Sequence, residues 1–203
     1  MYKIIFMATK LAEIPLLDKK IEKKIPFAKP ITWEHFKNRY LSREDEYTYE
    51  WVNGCVEKTK RTMDYKQFFI VRNLMNFFIA LTKGNNIEGL LTNEVDTYFA
   101  GNLRRPDMCY LTNEQMDAAR LQTPPVPKFV IEIISNNDKA KRVQGKMVDY
   151  WAAEIPVIWH IFPDLEHVRV YNGKKMTVLM KDELCSAAPV LPEFVISVND
   201  IFK

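Results

Sequence analysis

Lys128-Phe-Val-Ile-Glu-Ile-Ile134 is the stretch that decides how this chain is read. From Phe129 to Ile134 every residue except Glu132 is apolar, so the run reads as a strand covered on both faces. Side chains alternate along a strand, which puts Val130, Glu132 and Ile134 on one face and Phe129, Ile131 and Ile133 on the other. An ionised carboxylate in such a place is unfavourable unless a cation or hydrogen-bond donors compensate it. A divalent metal ion is the simplest compensation.

Upstream, Arg104-Arg-Pro-Asp-Met-Cys-Tyr-Leu111 is a second strand-like run. Asp107 follows Pro106, a placement that suits the first residue of a strand or an edge position. Pairing of the two strands would bring Asp107 and Glu132 together near a strand end. Hard oxygen ligands with positions left open to water suit Mg²⁺ or Mn²⁺, and the backbone carbonyl of Ile133 is a further candidate ligand. Downstream, Ser135-Asn-Asn-Asp138 is expected to cap a helix reaching about Ala153. Lys146 and Tyr150 are four apart on it and share a face, beside the buried stripe of Val143 and Met147. From there the Lys146 ammonium can reach back over the strand end, orient an attacking water and stabilise charge developing on phosphate. The chemistry indicated is metal-dependent hydrolysis of a phosphodiester.

The remaining periodicities fill in an α/β frame. Thr32 caps a short helix to about Leu41, and Tyr47–Val52 and Cys55–Thr59 form a hairpin about Asn53-Gly54. A long helix is expected from Asp64 to Lys83, with Val71, Leu74, Phe78 and Leu81 at the helical period and Gly84 ending it. Strands are expected at Gly89–Thr92, Val95–Ala100, Asp107–Leu111 and Val157–Phe162, with a short helix over Asn113–Leu121. A second hairpin joins His167–Tyr171 to Lys175–Met180 about Asn172-Gly173, and Pro189–Lys203 closes with a short helix near Asp200. The sum is a mixed central β-sheet flanked by helices, with an added N-terminal β-hairpin region. Residues 1–30, with the charge run Asp18-Lys-Lys-Ile-Glu-Lys-Lys24 and Pro26 and Pro30, read as an N-terminal extension to a domain over residues 31–203.

Composition bounds the function. With 203 residues, 47% hydrophobic and 27% charged, the chain has enough apolar content for one real core. A formal charge of +3 permits nucleic-acid contact without requiring it. Cys55, Cys109 and Cys185 form no C-x-x-C pair, which argues against a disulfide framework or structural zinc; Cys109 reads as a small core residue. No run approaches the ~18 apolar residues of a membrane span, so no membrane partner and a cytoplasmic setting are expected. Neither a P-loop nor a Rossmann glycine pattern is present, which disfavours nucleotide-cofactor enzymes. Of the histidines, His160 reads as a satisfied structural residue and His35 and His167 as surface residues. Lys58, Lys60, Arg61, Lys66, Arg72, Arg104 and Arg105 read either as a phosphate-binding surface or as a solvated face.

The order of these motifs resembles the PD-(D/E)XK nuclease superfamily, and within it the Uma-type restriction endonuclease family. Tyr49-Glu-Trp-Val-Asn-Gly54 is similar to that family's early hairpin, Arg105-Pro-Asp107 to its Arg-Pro-Asp strand, and Phe129-Val-Ile-Glu-Ile-Ile-Ser135 to its central strand. Lys146-Met-Val-Asp-Tyr150 is similar to its Lys-x-x-x-Tyr helix, Ile158-Trp-His-Ile-Phe-Pro163 to its late strand, and Val198-Asn-Asp-Ile-Phe202 to its closing helix. The resemblance implies a restriction-endonuclease-like fold and a DNA endonuclease. It makes Asp107 and Glu132 the Mg²⁺ ligands, Lys146 the active-site lysine, Glu50 an additional acid and Tyr150 a supporting group. It also implies a homodimer, since two strands of DNA call for two sites. The usual Glu-x-Lys position is Ile134 here, the aspartate before the late proline is Phe162, and a histidine near the start of the long helix is Gln67. These departures bear on substrate contacts, and they keep open the alternative of a catalytically inactive nuclease-fold module that binds nucleic acid or mediates assembly.

Overall fold

The computed structural model describes residues 29–61, 65–84, 87–99, 101–136 and 138–203. The expected extension, apart from its last two residues, and the expected helix start at Asp64 lie outside the described residues.

The central sheet has six strands in the order β10-β9-β8-β7-β6-β3. At its middle, β7 (Phe129–Ile133) and β8 (Val157–Phe162) run parallel, and all other neighbours are antiparallel. A parallel pair needs a crossover, and the helix α4 (Ala140–Ala152) supplies it. Every residue of β7 is buried, as its unbroken apolar run requires. The flanking members are β3 (Leu90–Asn93), β6 (Met108–Leu111) and the hairpin of β9 (His167–Asn172) with β10 (Lys175–Met180).

Strand parity divides the core in two. On one face Met108, Ile131, Trp159 and Val168 pack with Ile70, Leu74 and Phe78 of α2 (Tyr65–Gly84) and with residues near the C-terminus. On the other, Cys109, Val130 and Ile158 pack with Met147 and Tyr150 of α4. The third helix, α3 (Asn113–Arg120), is closed by a capping box between Thr112 and Gln115.

The N-terminal region is larger than the expected hairpin. Thr32 caps α1 (Trp33–Phe36), which widens into a π-type turn over Lys37–Leu41. The hairpin of β1 (Tyr47–Val52) and β2 (Cys55–Lys60) turns at Asn53 and Gly54, where φ is 49° and 76°. It then adds β5 (Asn102–Arg104) and β4 (Thr97–Phe99) into a four-stranded sheet, order β2-β1-β5-β4. The three-residue β5 gives too short a pattern to read from sequence.

Two further expectations are corrected. The C-terminal stretch is not a helix alone: β11 (Leu184–Ala187) and β12 (Leu191–Ser197) pair before α5 (Val198–Phe202). Pro192 and Glu193 interrupt the apolar pattern of β12, yet Phe194 is fully buried and meets the rings of Phe77, Phe129 and Trp159 at 5.2, 5.9 and 5.7 Å. Ser135 does not cap α4; its amide and hydroxyl both donate to Asp138 at 2.9 Å, and the helix begins after Lys139. No described helix is long and apolar enough to cross a membrane.

Candidate active site

Asp107 immediately precedes β6, whose Met108 pairs with Ile131 of β7, so the next step of the antiparallel ladder sets Asp107 opposite Glu132. Both lie on the face shared by Cys109 and Val130, beneath α4. Asp107 Oδ2 accepts a hydrogen bond from the Ile133 amide at 2.6 Å, so the side chain extends the ladder past its last backbone pair. The two carboxylates converge as the strand pattern predicts.

Glu132 is 3% exposed and still surrounded by donors. Lys146 Nζ donates to its two oxygens at 2.9 and 2.8 Å, and the Tyr150 hydroxyl donates to Oε1. The same ammonium donates to the Arg105 carbonyl at 3.0 Å and stands 3.6 Å from Glu50 Oε1. Glu50 Oε1 also accepts from the Arg105 amide at 2.8 Å. Glu50, Asp107, Glu132, Ile133 and Lys146 border one cleft of about 580 Å³, and Tyr150 lies beneath it, fully buried. Glu50 is thus a buried member of the site rather than a solvent-facing hairpin residue.

Three carboxylates share one ammonium, and the titration behaviour follows. Burial pushes Glu132 up to about 7; Lys146 and the Tyr150 hydroxyl work against this, and the charge of Asp107 adds to it. Burial likewise raises Asp107, against the pull of Lys146 and the Ile133 amide. For Glu50 burial is outweighed by Lys146, Arg104 and the Arg105 amide, which together hold it below the ordinary carboxylate range. Burial disfavours the charged Lys146, but Glu132, Glu50 and Asp107 overcome it and raise the amine. The rise of both acids follows first from burial, which Lys146 offsets only in part.

The donor set fits a hard divalent cation. All side-chain donors are carboxylate oxygens, which suits Mg²⁺ or Mn²⁺ rather than a softer metal. A carboxylate offers about four lone-pair sites. Asp107 uses one site of this kind on Ile133 and Glu132 uses three on Lys146 and Tyr150, so both keep capacity for a cation. Among the described residues no three His, Cys, Asp or Glu side chains enclose a metal position by themselves. An ion here would draw on two carboxylates, a backbone carbonyl and water or phosphate.

Behind the site, Arg104 is 1% exposed and holds three carboxylates. It donates to Asp149 of α4 at 2.7 Å, to Glu57 at 2.9 Å and to Glu50 at 3.2 Å. Glu50 and Glu57 face each other across the β1–β2 hairpin, a like-charge pair that Arg104 makes tolerable. Asn102 Nδ2 completes the Asp149 contacts at 2.9 Å. Arg104 therefore belongs neither to a phosphate-binding surface nor to a solvated face, the two readings its sequence left open; it ties the second sheet to α4. Lys66 pairs with Asp164 at 2.7 Å and Arg105 pairs with Asp96, while Arg72 lies over the Phe69 ring on α2. The cations that do border the cleft are Lys58 and Lys60 of β2, Arg61 just after it, Arg105, Lys139 at the N-cap of α4, and Arg142 and Lys146 of α4. Lys139 and Arg142 escaped sequence reading; the Lys139-Ala-Lys-Arg142 run at the helix start was the available signal.

Two histidine expectations also change. His160 is 2% exposed, but its Nε2 has no hydrogen-bond partner, so it is buried without being satisfied. His167 is buried, stacked on Phe162 at 4.5 Å, and not a surface residue. Gln67 borders the cleft; Phe162 does not.

A family model described as "Putative restriction endonuclease" (Uma2) matches residues 33–199. No curated protein matches the chain. Among solved structures, the fold is shared with a protein described as a putative nuclease belonging to DUF820 from Anabaena variabilis ATCC 29413. The TM-score is 0.70 at 21% identity, covering 85% of this chain and 98% of that one.

Proposed function

The chain belongs to the Uma2 family, described as "Putative restriction endonuclease", and on that premise we propose that it is a metal-dependent endonuclease hydrolysing DNA phosphodiester bonds. The observation that carries this reading is the seat of the Lys146 ammonium, held on both oxygens of Glu132 with Asp107 on the neighbouring strand, at the wall of one cleft. Asp107 and Glu132 would hold Mg²⁺ or Mn²⁺, with the Ile133 carbonyl as a third protein donor. Bound there, the ion supplies Lewis acidity toward the phosphate and acidifies the attacking water.

The chain's own groups divide the remaining tasks. Lys146 stands beside the carboxylates with three N–H donors, able to pass one from Glu132 to a phosphate oxygen or a water. Tyr150 and the Arg105 carbonyl fix the geometry of that exchange, and Glu132, then Glu50, favour the protonated amine. Arg142, Lys139, Lys60 and Arg61 at the rim supply phosphate contacts that position a strand without reading its sequence. A homodimer, with one site for each strand of a duplex, belongs to this proposal. Supercoiled plasmid incubated with the protein and Mg²⁺ or Mn²⁺ should be nicked and linearised, and Glu132→Gln should abolish both products. Undiminished cutting by that variant would overturn the assignment.

A further inference from the structure

Four buried side-chain atoms among the described residues have no hydrogen-bond partner, and three of them surround one ring. His160 Nε2, His167 Nε2 and Arg169 Nε gather about Phe162. Phe162 pairs with His167, and His160 with Arg169, across the β8–β9 ladder. All four side chains share the sheet face that carries Glu132, whose own ladder partner on β8 is His160. The Phe162 ring stacks on His167 at 4.5 Å, takes the Arg169 guanidinium at 4.5 Å and meets His160 edge-on at 6.3 Å.

Arg169 is half-buried and forms no ion pair among the described residues; its charge rests only against the Phe162 ring. Of the two acids in the adjoining turn, Asp164 is engaged by Lys66, and Glu166 is exposed and forms no ion pair with Arg169. A buried polar atom left unpaired is unfavourable, so three in one cluster are destabilising unless something completes them. One guanidinium without an ion-pair partner and two imidazoles, each in the tautomer that carries its proton on Nε2, form the donor set of an oxyanion site.

We infer that His160, His167 and Arg169 form an anion-binding subsite for a phosphate group and, resting on the nuclease reading above, that this group is a phosphodiester of the bound strand just beyond the cleft, whose wall these residues do not form. Glu132, His160 and Arg169 occupy successive strands of one row across the sheet. Neighbouring strands lie ~4.8 Å apart, so the subsite begins about 5 Å from the metal-binding acid and ends about 10 Å from it. One oligonucleotide can touch both. Phe162 acts here as a positioning residue, presenting an apolar surface where a carboxylate would neutralise Arg169.

The chain contains three histidines, which makes the test direct. Full-length protein labelled at the histidine ring nitrogens is titrated, without divalent metal and at fixed pH, with inorganic phosphate and separately with a short single-stranded oligodeoxynucleotide. The His160 and His167 resonances should move while exposed His35 stays still. Arg169→Gln should weaken the response about tenfold or more, the loss of a charge-assisted hydrogen bond, and Arg169→Lys should weaken it less. A stronger response to the oligonucleotide than to phosphate supports the strand assignment; a response to phosphate alone overturns it. Silence toward both ligands, or an unchanged response in a folded Arg169→Gln variant, overturns the subsite, with ordered water as the occupant. Because no metal is present, these outcomes are independent of whether the protein cuts DNA.

Discussion

Lys146 and Tyr150, one turn apart on α4, end on the same carboxylate, that of Glu132. The amine neutralises it and the phenol orients it, so the two contacts separate on mutation.

Tyr150→Phe removes one hydrogen bond to a buried charge and leaves the ammonium in place. Urea unfolding should show a loss of about 1.5–3 kcal/mol, with plasmid cleavage reduced but present. Lys146→Met strips the counter-charge from a buried acid, which costs about 3–5 kcal/mol, and should abolish cleavage. Equal stability losses in the two variants would contradict this division.

Metal should stabilise the native protein. An ion that binds only the folded state contributes about 2.7 kcal/mol at a hundredfold excess over its dissociation constant. A thermal scan should therefore show Tm rising with Mn²⁺ or Mg²⁺ concentration, and Glu132→Gln should remove the rise. A metal-independent Tm in the parent protein would contradict the two-acid site and favour a noncatalytic role.

Glu132 should leave a mark on stability against pH in metal-free protein. Its folded-state value of about 7 lies above its unfolded value near 4.5, so the native state binds more protons in that interval. Its contribution is full below about 4.5 and fades as pH rises through about 7, a change on the order of 3 kcal/mol. His160, lowered to about 4 by burial and then by Arg169 and Lys146, acts in the opposite sense, with stability lost as pH falls from 6.5 toward 4. Subtracting the Glu132→Gln profile from the parent profile removes the histidine contribution. The difference should fall with rising pH; a flat or rising difference would contradict it.

Arg104→Met should be among the most destabilising single changes. It leaves Asp149 without its cation and Glu50 with Lys146 alone, for a loss of about 3–5 kcal/mol. Arg105→Met, at a more exposed pair with Asp96, should cost markedly less in the same urea titration.

Much of this was legible in the sequence because it depends on short-range pattern. The apolar run around Glu132 announced a strand buried on both faces, and the four-residue spacing of Lys146 and Tyr150 announced a shared helix face. What stayed hidden depends on partners distant along the chain. Nothing near Arg104 shows that Glu50, Glu57 and Asp149 will enclose it, so it reads as one more surface cation. Phe194 sits beside Pro192 and Glu193, which mask its strand, and only the aromatic rings of α2, β7 and β8 explain its burial. His160 and His167 show no unusual spacing, and their missing partners become visible only when β8 and β9 are aligned.

The crossover between the parallel strands β7 and β8 has a consequence for biogenesis. Synthesis releases Glu50, then Asp107, then Glu132, and α4 with its amine and Asp149 only afterwards. Until that late segment docks, the three acids repel one another and Arg104 lacks its nearest anchor. A ribosome-bound fragment ending before residue 140 therefore cannot assemble the constellation, and any capacity to cut DNA is withheld until α4 has been made and has docked.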